Sequence, residues 1–212
     1  MLFKQGTDVF SSDNEKIGTL DRVVMDPRTK EISHIVVREG FLFREDKVVP
    51  MDLIGSVTDE RIILQGSKDH LNELPDYEET HYVSRDATVD DDMNTLYWNP
   101  PAYSGAGYSQ YPVIYPQSLY IRRTEKNIPE GMVALAEGAK VLAEDGEQVG
   151  NIETLITDPN EHVTHLVISS GLLMKERKII PSHWLNAVTE DEVHLSVDSR
   201  LLERLPQYNP ET

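Results

Sequence analysis

The chain has 212 residues, of which 37 are acidic and 20 are basic, so its formal net charge at pH 7 is -17. Nucleic-acid binders draw most of their affinity from Lys and Arg side chains that neutralise phosphates, so this charge excludes DNA or RNA as a favoured direct partner. The sequence contains no cysteine, which excludes disulfides, thiol catalysis and cysteine-ligated zinc or iron–sulfur sites.

The N-terminal residues lack the apolar run of a signal peptide, and no stretch approaches the roughly 20 apolar residues that cross a bilayer. A cysteine-free chain also fits a reducing compartment. The sequence therefore predicts a soluble, acidic, cytoplasmic protein with no membrane insertion.

An internal repeat organises the chain. The N-terminal part aligns with the C-terminal part at a shift of 132 residues, which becomes 131 after a one-residue deletion, and 21 identities fall within Gly6–Thr80. A unit of about 75 residues that occurs twice is too long for a solenoid, so each copy is expected to be a small domain with its own core. The sequence thus predicts a first repeat (1–83), a linker (84–128) and a second repeat (129–212).

Short strand-like runs alternate with turn signals in each repeat, a pattern typical of a small barrel or sandwich. A short helix is expected near the end of each repeat, over Asp69–Leu74 and Ser199–Leu205, because Pro75 and Pro206 follow. The predicted strands are Thr7–Phe10, Ile17–Met25, Ile32–Arg38, Lys47–Val49 and Ile62–Leu64 in the first repeat, and Val163–Ser169, Lys178–Ile180 and Val193–Leu195 among their copies.

The linker carries six of the nine tyrosines of the chain and one of its two tryptophans. Its Pro and Gly disfavour a regular element, and a connection of this length is usually functional or disordered. The sequence leaves three roles open: docking on a partner, packing on the repeats, or an inert tether. The candidate partner-binding residues are Tyr97, Trp98, Tyr103, Tyr108, Tyr111 and Tyr115 of the linker and Trp184 of the second repeat.

Both repeats share a Gly-x-x-Val opening, a glycine after the first hairpin (Gly18, Gly150), an Asp-Pro turn and a strand that ends in Val-Val-Pro or Ile-Ile-Pro. In this order the chain resembles the PRC-barrel domain, which occurs in the photosynthetic reaction-centre H subunit and in a ribosome-maturation factor. The resemblance implies an all-β fold of two small PRC-type β-barrels in tandem, each ending in a short helical turn. It also implies protein binding, because members mostly bind other proteins and share no catalytic residues.

His34 and His165 occupy the same position in the two repeats, where a packed or hydrogen-bonded histidine at a strand start is the ordinary case. The run Asp90–Asp92 lacks the spaced ligands and turn glycine of a calcium loop, so it is expected to be solvated. No hydrolase, P-loop or dinucleotide motif is present. The sequence predicts no catalytic residue, cofactor or metal site.

These observations favour a non-catalytic adaptor in which two barrels bind protein partners. The two copies are expected to unfold independently, and either an intramolecular pseudo-dimer of the barrels or a homodimer is compatible with the repeat. The alternative is a soluble accessory protein, similar to the reaction-centre H subunit, that assists photosynthetic electron or proton transfer. An enzymatic reading requires a pocket that holds a strongly shifted acid.

Overall fold

The computed structural model describes residues 1–39, 46–58, 60–84, 120–136, 138–171 and 176–209. Strands dominate these residues, which confirms the all-β prediction. The first repeat contains β1 (Leu2–Lys4), β2 (Asp8–Phe10), β3 (Lys16–Met25), β4 (Ile32–Glu39), β5 (Lys47–Pro50), β6 (Ile54–Val57), β7 (Arg61–Leu64) and helix α1 (Lys68–Asn72). The strands β8 (Glu78–Ser84) and β9 (Tyr120–Lys126) follow, and the second repeat contains β10 (Val133–Ala136), β11 (Lys140–Leu142), β12 (Gln148–Thr157), β13 (Val163–Ser170), β14 (Glu176–Pro181), β15 (Leu185–Val188), β16 (Glu192–Leu195) and helix α2 (Ser199–Glu203).

The two repeats build two sheets with the same strand order. The first sheet runs β5-β4-β3-β2-β7-β6 and the second runs β14-β13-β12-β11-β16-β15. Neighbouring strands pair antiparallel except β2 with β7 and β11 with β16, which pair parallel. Within the described residues neither order closes on itself, so each repeat is barrel-like with an open ladder.

The turn after each long strand follows from its Asp-Pro sequence. The Asp26 carboxylate accepts a hydrogen bond from the Arg28 N–H at 2.7 Å, and the Asp158 carboxylate accepts one from the Asn160 N–H at 2.8 Å. Such Asx turns replace backbone hydrogen bonds where the chain reverses. The residues that close the two turns, Lys30 and Glu161, have φ of 65° and 67°, so the two copies share even this unusual backbone conformation.

The first strand of each repeat pairs with the long strand of the other repeat. β1 pairs antiparallel with β12, with Phe3 opposite Leu155, and β10 pairs antiparallel with β3, with Leu135 opposite Val23. A shift of 132 residues converts one register into the other, so the two exchanges are related by a pseudo-twofold axis. The sequence analysis missed both strands because three or four residues are too few to show an alternating pattern.

A second contact joins the repeats at the turns. The Ile32 N–H donates to the Glu161 carbonyl at 3.0 Å, and the Val163 N–H donates to the Lys30 carbonyl at 2.9 Å. These two bonds are again equivalent under the repeat. Glu31 and His162 form the isolated bridge between them.

The buried apolar residues of both repeats form one contiguous cluster. Phe3 and Leu135, each 2% exposed, lie in this cluster together with Val23 and Leu155. This corrects the expectation that each copy has its own core. The physical reason is the exchange, since each short first strand carries its apolar side chain onto the other repeat.

Compactness divides the chain into one unit made of Met1–Glu79 and Lys126–Thr212 and another made of Thr80–Glu125. Within the second unit, most of β8 and β9 form a two-stranded sheet. β9 lies inside the linker, for which the sequence predicted no regular element, and this part of the prediction is wrong. The strand is Tyr-Ile-Arg-Arg-Thr-Glu-Lys, which has strand-forming residues and neither Pro nor Gly. The boundaries 1–83, 84–128 and 129–212 stay a prediction.

We expect Leu135→Ala to lower the free energy of unfolding by about 2–5 kcal/mol, because it leaves a cavity in the shared cluster. Far-UV circular dichroism follows the whole chain, and Trp184 fluorescence in a Trp98→Phe background follows the second repeat. Both probes should give one coincident transition. Leu201→Ala is the control, since Leu201 is 44% exposed and its loss should change stability by under about 0.5 kcal/mol. Two separate transitions in the wild type would contradict a shared core.

Candidate functional site

Two buried carboxylates occupy equivalent places on the long strands. Asp21 is 3% exposed and Glu153 is 8% exposed. Each sits where the register of its strand shifts against β4 or β13, as one residue bulges out of the ladder. Bulges commonly re-aim a side chain. An acid at the same place of the long strand in both copies was the sequence signal that could have found this pair.

Arginines neutralise both carboxylates, but they come from different strands. In the second repeat, Arg177 on β14 holds Glu153 through its Nε at 2.9 Å from both carboxylate oxygens and through a terminal nitrogen at 2.7 Å from Oε1. This fork raises the pKa of Arg177. In the first repeat, Asp21 pairs with Arg38 on β4 and with Arg22 Nε at 3.3 Å.

The space beside these carboxylates is a cavity of about 20 Å³ between the exchanged strands. It is lined by residues from both repeats, among them Phe3, Leu135, Asp21 and Glu153. A volume of this size holds about one water molecule. The two acids are therefore positioned to balance arginine charge within the fold, with no room for a substrate beside them.

His34 and His165 occupy the third position of the equivalent strands β4 and β13. His34 Nδ1 lies 3.0 Å from the Ser33 hydroxyl, and burial lowers the pKa of His34 while the charge of Asp52 opposes that effect. Both imidazoles are half-buried, opposite Pro50 and Pro181 respectively. Within the residues that the structure describes, no three His, Asp or Glu side chains converge to hold a metal ion.

Trp184, predicted as a partner-binding residue, ends a 3₁₀ turn that begins at Ser182. Its side chain is half-buried against the shared cluster and meets the His183 ring edge-on, with the ring centroids 6.0 Å apart. The Trp184 carbonyl accepts a hydrogen bond from the Ser196 N–H at 2.8 Å. The remaining predicted residues, Tyr97, Trp98, Tyr103, Tyr108, Tyr111 and Tyr115, lie outside the described residues, as does Asp90–Asp92.

The side of the first sheet that faces away from the shared cluster holds a second, smaller apolar cluster. We call this side the outer face of the first repeat. Segment 127–132, which leads into β10, covers it with the side chains of Ile128 and Met132. The buried members of this cluster are Val24, Val36, Val48, Tyr77 and Ala134.

Backbone hydrogen bonds hold segment 127–132 in place. The Asn127 N–H donates to the Tyr77 carbonyl at 2.9 Å, and the Asn127 side-chain amide donates to the Asp76 carbonyl at 2.7 Å. Tyr77 itself donates its N–H to the Asp46 carbonyl beside the edge strand β5. The segment bends at Ile128 and then closes a turn in which the Met132 N–H donates to the Pro129 carbonyl at 3.2 Å, so a turn-forming piece of the chain packs over the face of the sheet.

Charged side chains surround the Tyr77 ring. The Arg22 guanidinium lies 5.8 Å and the Lys126 ammonium 5.7 Å from the ring centroid, and Lys126 also pairs with Glu190. Burial, and then the charge of Glu190, raise the pKa of Tyr77. Cations over an aromatic face stabilise it, so Lys126 fastens the start of segment 127–132 to the first repeat.

An open groove of about 680 Å³ lies next to segment 127–132. Its lining includes His34, Asn127 and Pro129. Lys47, which also lines the groove, donates to the Leu74 carbonyl at 3.1 Å and pairs with Asp76 at 2.5 Å. The lining is more polar than a small-molecule site usually is.

Residues 5–71, about a third of the chain, match the PRC-barrel domain family. The match falls in the first repeat, and the assignment of the second repeat to this family stays a prediction. The match of residues 5–71 indicates a protein-binding or accessory role in general. No curated protein shows significant similarity to the chain. No helix of the described residues is long and apolar enough to cross a membrane.

We expect Arg177→Met to lower the free energy of unfolding by about 1–2 kcal/mol, because it leaves the Glu153 carboxylate buried without its arginine. This is below the roughly 3–5 kcal/mol of a fully buried pair, since the Arg177 side chain is 35% exposed. Glu153→Gln combined with Arg177→Met should recover most of the loss. Urea titration measures the effect, and Arg200→Met at an exposed position is the control. Equal costs for the single and double variants would argue against the pairing.

The lowered pKa of His34 predicts a pH dependence of stability. Below its ordinary value of 6.5 the unfolded chain binds the proton more readily than the folded chain, so stability is lost as pH falls through the folded pKa. The unfolding midpoint of His34→Gln should therefore change less between about pH 7 and pH 5 than that of the wild type. The same substitution at the exposed His183 is the control. Parallel profiles for His34→Gln and the wild type would rule out this contribution.

Proposed function

We propose that the chain is a non-catalytic, cytoplasmic adaptor that binds protein partners. The observation that carries the proposal is the outer face of the first repeat, which holds another segment of the chain through hydrogen bonds from Asn127 and through the apolar side chains of Ile128 and Met132. The PRC-barrel match of residues 5–71 supports the same class of function.

The strand exchange supports an adaptor because it joins both repeats into one compact unit. Surfaces on a preorganised body bind with less loss of conformational entropy than surfaces on tethered, independent domains. The repeats act in this proposal as a single scaffold.

The chemistry of the buried acids supports a role without catalysis. Asp21 and Glu153 are engaged by arginines, and the cavity beside them is about 20 Å³. A general acid or base needs a proton-transfer partner within hydrogen-bond reach, and this volume accommodates no substrate.

The net charge of -17 favours partners with a basic surface, since complementary charge speeds association and selects partners. Trp184 offers a half-exposed aromatic anchor of the kind that dominates binding interfaces. The linker aromatics are proposed as additional contacts, on the ground of their composition alone.

Three full-length proteins test the adaptor proposal by affinity capture and mass spectrometry: the wild type, Trp184→Ser, and a variant with Tyr97, Trp98, Tyr103, Tyr108, Tyr111 and Tyr115 all changed to Ser. We expect the wild type to retain a specific protein and at least one variant to bind it about 30-fold more weakly, as for loss of an anchor worth about 2 kcal/mol.

Leu201→Ser serves as the control, because Leu201 is an exposed apolar residue outside the proposed contacts. No enriched protein in the wild type would refute the adaptor function. Retention that neither aromatic variant weakens would refute the assignment of the aromatic residues while leaving protein binding in place.

A further inference from the structure

The second repeat has an outer face equivalent to that of the first, but most of its side chains are less buried. Shifting the outer-face residues of the first repeat by 131 or 132 positions gives an equally apolar set. Val167 is buried at 4%, whereas the other members are only half-buried. The set is Leu2, Ile156, Val167, Ile179 and Tyr208.

These side chains do not belong to the shared cluster, so they point to the opposite side of the second sheet. Among the described residues they form no second cluster comparable to the one under segment 127–132. In the first repeat Val24 and Val36 are 0% exposed and Tyr77 is 4% exposed. Within the described part of the chain, this difference in burial reflects segment 127–132, which packs on the first face and has no counterpart on the second.

The outer face of the second repeat is continuous with the interface between the two repeats. Leu2 and Ile156 lie opposite each other in the β1–β12 pairing, where the exchanged strand ends. At the sheet edge the Tyr208 N–H donates to the Arg177 carbonyl at 2.7 Å, as the Tyr77 N–H does to the Asp46 carbonyl. The carbonyls that correspond to those accepting from Asn127 are therefore those of Gln207 and Tyr208. Both the apolar platform and the edge of a segment-binding site are in place.

Segment 127–132, on the outer face of the first repeat, shows which side chains fit a face of this kind. Segment 127–132 contributes an asparagine that bonds the edge and two apolar side chains, Ile128 and Met132, four positions apart. A second copy of the chain is disfavoured as the occupant, because each copy carries a charge of -17 and like charges repel. The same charge favours a basic segment.

Resting on the proposed adaptor function, we infer that the outer face of the second repeat binds a turn-forming, basic segment of a partner protein. The segment places an amide side chain at the Gln207–Tyr208 edge and two aliphatic side chains over Ile156 and Ile179. Segment 127–132 occupies the face of the first repeat, and no described residue occupies the equivalent face of the second repeat in the same way.

Two synthetic peptides with blocked ends serve as probes: residues 126–133 of this chain, Lys-Asn-Ile-Pro-Glu-Gly-Met-Val, and the same peptide with Glu130→Lys. They are titrated into the full chain with isoleucine methyl groups labelled for NMR. We expect saturable shifts at Ile156 and Ile179 and none at Ile35 and Ile62, which are 0% exposed in the core. The basic peptide should bind several-fold more tightly at low salt, and the difference should shrink at high salt.

Ile179→Ser should weaken binding at least about 5-fold, and Ile63→Ser, at a half-exposed isoleucine on β7, is the matched control. Tyr208→Ala, near the end of the described chain, provides a second test if Ile179→Ser impairs folding. Unchanged affinity in both variants, or shifts confined to the first repeat, would overturn the inference.

Two other occupants would also overturn it. If the peptide binds only after the linker aromatics are changed to Ser, the face belongs to the chain's own residues 85–119. If sedimentation shows a dimer that Ile179→Ser dissolves, the face belongs to a second copy. Failure here, together with a partner captured by the wild type, rejects this face but not the adaptor function. Failure of both experiments rejects the adaptor function as well.

Discussion

The structure depends on a length of strand edge in each repeat that has no hydrogen-bonding partner within that repeat. β3 and β12 are ten residues long, and the hairpin partner within each repeat, β2 or β11, pairs with only the first part of each. The remaining edge of β3, from Arg22 to Met25, would expose unpaired backbone groups, which are costly when buried and prone to aggregation when exposed. The other repeat supplies the missing partner on both sides, with β10 on β3 and β1 on β12. Because the same short strands carry Phe3 and Leu135 into the core, backbone pairing and apolar burial join the two repeats at the same place.

The bulges at Asp21 and Glu153 belong to the same arrangement. Each stands next to the point where the repeat's own hairpin partner ends and the exchanged strand begins. A buried carboxylate is stabilised by a cation. The two repeats supply different arginines, Arg38 from β4 for Asp21 and Arg177 from β14 for Glu153. Asp46, which stands where Arg177 stands in the second repeat, has its pKa raised by burial and then by the charge of Asp21. The polar interior is therefore equivalent in position and different in chemistry between the copies.

The outer faces show the same divergence with a functional consequence. Duplication made two sheet faces of similar shape, and the chain's own segment 127–132 occupies only one of them. Among the residues that the structure describes, the equivalent face of the second repeat carries no such segment, and this difference is the ground for the peptide site proposed there. Segment 127–132 is held on the outer face of the first repeat by contacts within the same compact unit. Lys126 pairs with Glu190, and Lys126 and Arg22 lie near the Tyr77 ring.

The sequence by itself determined the duplication, the all-β class, the helices that end each repeat before Pro75 and Pro206, and the Asp-Pro turns. These features rest on local chemistry, namely turn residues, proline and alternating apolar residues, and the match of residues 5–71 to the PRC-barrel domain agrees with them. Only the tertiary structure decided which strand fills the open edge of β3 and β12, because Leu2–Lys4 and Val133–Ala136 are too short to carry a pattern and their partners are more than a hundred residues away. It also decided that Tyr77 is 4% exposed in the cluster beneath segment 127–132, whereas Tyr208 is only half-buried. Both tyrosines stand in the same Leu-Pro-x-Tyr sequence, so their difference depends on what packs against them, which no local pattern contains.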